Sequence, residues 1–112
     1  MASALNIFKT VTFAVTSSNT TIYTAPTGYA GIILMAQVTN ITSTEGTVTF
    51  STVDTSASTE TELVKNFPVP GNDASSMITG KLVLEESDSI KIFANANNKF
   101  KVTLSVLESS NA

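Results

Sequence analysis

Phe100-Lys101-Val102-Thr103-Leu104-Ser105-Val106-Leu107 decides the fold class. Phe100, Val102, Leu104 and Val106 fall on one side of an extended chain, and Lys101, Thr103, Ser105 and Leu107 fall on the other. A repeat of two is the period of a strand with one face in a core. A helix would spread the same residues around its circumference. The Val and Thr content adds β-branched side chains, which fit a pleated surface better than a helix.

The same period recurs outward from this segment. Over residues 6–16, Ile7, Lys9, Val11, Phe13 and Val15 oppose Phe8, Thr10, Thr12 and Ala14. Lys9 interrupts the apolar side and is expected near the strand's start. In residues 47–53, Val48, Phe50 and Thr52 oppose Thr49, Ser51 and Val53. Shorter strands are predicted over 20–24 with Ile22 facing the core, over 62–67, over 81–85 with Leu82 and Leu84 inward, and over 89–94 with Ile90 and Ile92 inward. Ser17-Ser18-Asn19, residues 42–46, Glu86-Ser87-Asp88 and Asn95-Ala96-Asn97-Asn98 are turn or loop clusters. Ala25-Pro26-Thr27-Gly28 reads as a tight turn with Pro26 at its first central position. Residues 54–61 read as an exposed tip. Pro68 and Pro70 cannot donate to a ladder, so residues 68–73 read as a loop or an edge. Residues 76–80 fit either one helical turn or a short strand. About eight short strands with polar turns predict an all-β chain. The expected architecture is a single antiparallel β-sandwich or jelly-roll-like domain over residues 1–112, with tails at 1–5 and 109–112.

Composition excludes whole classes of function. The chain has 112 residues, 42% hydrophobic, and a net charge of -3. Its 6 basic residues are scattered lysines. Nucleic-acid binding needs clustered positive charge to displace counterions, so it is not expected. His, Cys and Arg are absent, which removes the commonest general base and the commonest metal ligands. No enzyme, no metal and no cofactor is expected. The longest apolar run, residues 32–36, is too short for a bilayer, and the first residues lack a signal-peptide pattern. No membrane partner is expected, and synthesis in a cytoplasm is.

Within the most apolar segment, residues 31–40, Ile32, Ile33, Leu34 and Met35 run without alternation. A strand of a small sandwich alternates, because only one face meets the core. Four consecutive apolar residues imply cover on both faces, or a contact with another subunit. A loop such as 68–73 folded over the outer face is the intramolecular alternative. A short core helix competes, and the flanking turns and β-branched residues argue against it. Tyr23 and Tyr29 flank the 25–28 turn and are candidates for stacking on a partner protein or a sugar, although such tyrosines more often bury the ring at a sheet margin and keep the hydroxyl in water. Glu85-Glu86-Ser87-Asp88 is the densest acidic cluster, but it lacks the alternating ligand pattern of a Ca²⁺ loop and reads as a solvated hairpin tip. Glu60 and Glu62 read as a solvated strand face, since nothing nearby would raise the pKa of either for acid–base work. Asn19-Thr20-Thr21 and Asn40-Ile41-Thr42 match glycosylation sequons by chance in a chain this rich in Asn and Thr.

One pattern adds a family. Ile22-Tyr23-Thr24-Ala25-Pro26-Thr27-Gly28, then an apolar strand ending in Val38-Thr39-Asn40, resembles the opening of a family of small bacteriophage virion proteins. Leu63-Val64-Lys65-Asn66-Phe67-Pro68-Val69-Pro70, then Lys81-Leu82-Val83-Leu84-Glu85 and Asp88-Ser89-Ile90-Lys91, continue the resemblance, as does a closing strand over 102–108. Ser87 stands where that pattern carries glycine. The resemblance covers residues 20–108 and implies a β-sandwich virion protein of a tailed phage. It offers no catalytic residues. The function it implies is a structural component of the particle, foremost a capsid decoration protein on the outer shell. A tail, baseplate or fibre-associated component and a carbohydrate-binding host-attachment module are the alternatives. The expected partners are the major capsid protein or tail proteins and further copies of the chain, and the expected location is the virion. Ile32, Ile33, Leu34, Met35, Tyr23 and Tyr29 are the candidate contact residues.

Overall fold

A computed structural model describes residues 6–110. They form nine strands: β1 (Asn6–Val15), β2 (Thr20–Thr24), β3 (Tyr29–Asn40), β4 (Gly46–Asp54), β5 (Thr59–Val69), β6 (Ala74–Ser76), β7 (Leu82–Leu84), β8 (Ser89–Ala94) and β9 (Phe100–Ser110). The first sheet runs β1-β9-β3, with β6 and β7 both on the far side of β3. The second runs β2-β8-β4-β5. Every pairing is antiparallel. The chain crosses between sheets at nearly every turn, with the β4–β5 hairpin staying in one sheet. That order is a jelly roll, one of the two architectures expected from the number and spacing of the strands. β6 and β7 are one edge strand broken at residues 77–81, which reconciles nine strands with the expected eight.

The alternating residues fill the space between the sheets. Phe100, Val102, Leu104 and Val106 on β9 face Ile90 and Ile92 on β8 and Val48 and Phe50 on β4, all essentially inaccessible to water. Strand β9 is central in its sheet, which is why its inner face is the most regularly apolar in the chain.

Several expectations shift in detail. The strand predicted to end at 107 continues to Ser110, so Ser109 and Ser110 are paired with β1 and β3 rather than lying in a tail. The expected tail at 1–5, with 111–112, lies outside the described residues. Tyr23 as well as Ile22 packs toward the core, because a register shift between Thr21 and Tyr23 turns both inward. The first tight turn closes one residue later than expected. Tyr29 N–H donates to the Pro26 carbonyl at 3.1 Å, so Gly28 is the third residue of the turn. Its φ of 84° needs a residue without Cβ strain. The 54–61 tip is shorter than expected, since Thr59 to Thr61 already pair with β4. Its root is tied: Thr55 N–H donates to Asp88 Oδ1 at 3.0 Å and its hydroxyl to the Ser87 carbonyl at 2.6 Å. Residues 76–80 leave β6 without a helical turn.

Ser87 takes φ 72°, the left-handed region that the glycine of the virion pattern would enter without strain. The hairpin therefore keeps its turn at a conformational cost. Ser87→Gly is expected to raise stability by about 0.5–1 kcal/mol, read as a higher urea midpoint at unchanged slope.

Candidate functional site

The apolar run at 32–35 is resolved by a bulge. β3 shifts register against β9 between Ile33 and Met35, leaving Leu34 as the extra residue. Before the bulge Gly31 and Ile33 face inward; after it Ala36, Val38 and Asn40 do. The change of phase places Ile32, Leu34 and Met35 on the outer side, while Ile33 is fully buried. Residues 68–73 do not cover this outer side. They pack at the other end of β3, where Asn72 N–H donates to the Thr42 carbonyl at 2.8 Å and Asn40 N–H to the Asp73 carbonyl at 2.8 Å.

Reading across the first sheet extends the patch. Phe8 on β1 pairs with Leu107 on β9, Leu107 with Ile32 on β3, and Ile32 with Val83 on β7. These four apolar residues form one row across four strands, a span of about 14 Å at the usual strand spacing. They lie on the outer face, since their neighbours in each strand point into the core. Phe8 is 74% exposed, Val83 63% and Met35 36%. Ile32, Leu34 and Leu107 are half-buried. Beside the row, Ser105 is too small to fill the face, and a depression of about 290 Å³ opens between Phe8, Thr10, Leu34 and Ser105. Scattered exposed apolar residues are ordinary on a protein surface; here they are aligned in one row. Phe8, Leu107 and Val83 were not among the candidates read from the sequence. The signal was present: Phe8 and Leu107 are large apolar residues on the polar side of their alternating segments.

Tyr23 buries its ring, and its hydroxyl is bonded inside the protein rather than left in water. Its hydroxyl donates to Glu108 Oε2 at 2.7 Å, and Lys9 Nζ lies 3.2 Å from Glu108 Oε1. Glu108 is 2% exposed, while Lys9 remains about half in solvent. Glu108 sits on the inner face of β9, between Ile7 and Gly31 on its two neighbours. Tyr23 reaches it from the second sheet, so the three side chains clasp the sheets together at one end of the sandwich. A Cβ at Gly31 would stand 2.9 Å from the Tyr23 hydroxyl oxygen and 3.0 Å from Cε2. Glycine there lets the ring lie against β3. Gly31→Ala is expected to displace the ring and cost about 1–3 kcal/mol, seen as a lower melting temperature. Lys9 therefore interrupts its apolar side for a reason, as the counter-charge of a buried carboxylate.

Burial, then the hydrogen bond to Glu108 and its charge, push the Tyr23 phenol well above its ordinary value of 10.0. Above about pH 10 the unfolded chain ionises this tyrosine and the folded chain does not. The unfolded state then binds fewer protons, so stability falls as pH rises from there. Tyr23→Phe is expected to flatten that alkaline fall, measured by denaturant titration between neutral pH and pH 11.

Tyr29 is half-buried at the start of β3. The two tyrosines thus do not present a joint stacking platform, since one ring is sealed inside the clasp. In the acidic hairpin, Asp88 spends both oxygens on backbone, accepting from Thr55 N–H and, at 3.1 Å, from Glu85 N–H. Glu86 accepts from Gly28 N–H at 3.0 Å. Glu60 accepts from the Asn19 amide at 3.0 Å. Among the described residues no group of three or more His, Cys, Asp or Glu could hold a metal ion. A second apolar opening, about 410 Å³, lies between Leu63, Val64 and Phe67 of β5 and Met77, Ile78 and Leu82 beside the broken edge of the first sheet.

The fold is an all-β sandwich with one apolar row across the outer face of its first sheet. No family model matches the chain, and no curated protein matches it. A solved structure described as "Bacillus endospore appendages form a novel family of disulfide-linked pili" is similar in fold, with a TM-score of 0.59 over 100% of this chain and 97% of that chain. The two sequences are 12% identical, so the likeness is one of fold.

Proposed function

We propose that this protein is a repeated structural subunit of a bacteriophage particle, a capsid decoration protein that binds the outer shell and its own copies. The observation that carries the reading is the outer row Phe8–Leu107–Ile32–Val83 with Met35 beside it. Association would remove this row from water at about 25 cal/mol per Å². The order of sequence motifs shared with small phage virion proteins supports the phage setting. The buried clasp, and the absence of any helix among the described residues, suit a rigid part that is used many times.

A tail- or fibre-associated position is the second reading. The full-length fold likeness to a pilus subunit supports it, because a jelly roll of this size can build a fibre. The disulfide links in that structure's description have no counterpart within these 112 residues, which contain no cysteine. Quantitative mass spectrometry of purified particles separates the readings. A copy number comparable to that of the major capsid protein is expected. A copy number far below it moves the protein to the tail, and its absence from purified particles overturns the proposal.

A further inference from the structure

A sheet edge that is long, flat and unprotected pairs with another strand unless something blunts it. The two sheets of this protein have four edges, and three are blunted. β2 is five residues long and shifts register at Ile22. β6 and β7 are three residues each, with a break between them. β5 is long, but its register shifts twice against β4, Asn66 takes φ 49°, Pro68 lacks an N–H, and Glu60, Glu62 and Lys65 line it. β1 carries one such device, the inward-pointing Lys9, and lacks the others. It pairs with β9 through ten consecutive residues without a register shift. It contains no proline or glycine, and all its φ values are negative. Lys9, its one charge, is matched by Glu108. Among the described residues no backbone hydrogen bond reaches β1 from any strand except β9.

We infer that the free edge of β1 pairs antiparallel with the β1 edge of a second copy, giving a two-fold dimer with one continuous sheet. The inference deepens the reading of the chain as an assembling structural subunit and rests on it. The occupant follows by elimination. Edge pairing between copies needs an unblunted edge on each side, and each copy offers one. Pairing of β1 with itself is isologous and closes at two subunits. The two-fold axis runs perpendicular to the sheet and midway between the two β1 strands, so each residue meets one that points to the same face, and one residue of β1 faces its own copy across the axis. Lys9 on the axis would set like charges opposite each other, which is unfavourable. Centring on Thr10, Val11 or Thr12 avoids this. Each of these registers also joins the two outer faces, so the rows ending at Phe8 of each copy become one surface.

The chain lacks cysteine, so an introduced thiol reports alone. Thr10 and Thr12 are exposed and face outward on β1, which makes their replacement compatible with folding. Three variants cover the allowed registers: Thr10→Cys, Thr12→Cys, and the double variant Thr10→Cys/Thr12→Cys for an axis at Val11. The control is Thr61→Cys on the exposed β5 edge. Under mild oxidation, one β1 variant is expected to convert from monomer to covalent dimer while Thr61→Cys stays monomeric. Hydrogen exchange of the unaltered protein is expected to slow at alternate β1 amides as concentration rises. A β1 set that stays monomeric, or crosslinks no better than Thr61→Cys, overturns the inference. If Val83→Lys nonetheless abolishes a larger assembly in that case, the structural-subunit reading stands without the β1 dimer. If the β1 dimer forms but the protein is absent from particles, the dimer stands and the particle reading fails.

Discussion

The double variant Lys9→Met/Tyr23→Phe is expected to lose about 3–5 kcal/mol of folding stability, the usual cost of stranding a buried charge. At roughly 4 °C per kcal/mol for a chain of this size, the melting temperature falls by about 12–20 °C. The reason is the asymmetry of Glu108. The carboxylate is nearly sealed between β1 and β3, and its two oxygens are served by one hydroxyl and one ammonium. Removing both partners leaves a charge in a poorly polarisable interior with nothing to stabilise it. The single variants are milder. Lys9→Met alone costs less, because Lys9 is about half in solvent and such pairs are screened. Tyr23→Phe alone removes a hydrogen bond to a charged group, about 1.5–3 kcal/mol. The decisive arm is rescue. Adding Glu108→Leu to the double variant is expected to recover most of the loss, since an apolar triad of similar volume needs no counter-charge. Chemical denaturation of the unaltered protein and the four variants measures this. A triple variant no more stable than the double would show that the cost came from repacking and not from the stranded carboxylate.

The clasp and the outer row also show what a sequence of this kind conceals. Alternation placed the core correctly wherever one strand kept one register, as in Phe100, Val102, Leu104 and Val106, because the period of a strand depends on the chain alone. It could not place Ile32 to Met35. A bulge changes the phase by one residue, and its position is set by pairing with β9, a partner some seventy residues away. The same limit hid the clasp. Lys9 and Glu108 are 99 positions apart, and their 3.2 Å contact exists because β1 and β9 are neighbours. Phe8 and Leu107 were visible singly as apolar residues on polar faces. Their alignment into a row with Ile32 and Val83 required the register of three strand pairs.

That register turns the row into a strong test. Met35→Lys combined with Val83→Lys is expected to abolish assembly while leaving the fold intact. Both side chains are on the outer face, 36% and 63% exposed, so lysine there keeps its charge in water when the subunit is alone. In a contact the same lysines would have to be desolvated, and two apolar groups worth about 1.5–3 kcal/mol each on burial would be missing. The combined loss of about 3–6 kcal/mol per contact corresponds to a fall of roughly two to four powers of ten in association constant. Sedimentation of the unaltered protein and the variant at matched concentration reads that fall, and the melting temperature checks folding. Ile33→Lys is the necessary contrast. It lies two positions from Met35 in sequence but is 0% exposed inside the sandwich, so that variant is expected not to fold. A doubly substituted protein that assembles as well as the original would show that the apolar row is not the contact. Assembly lost together with the fold would put Met35 or Val83 in the core, against the phase that the bulge at Leu34 sets. Assembly lost with the fold kept is the outcome expected if the outer row set by the register of β1, β9, β3 and β7 is the contact.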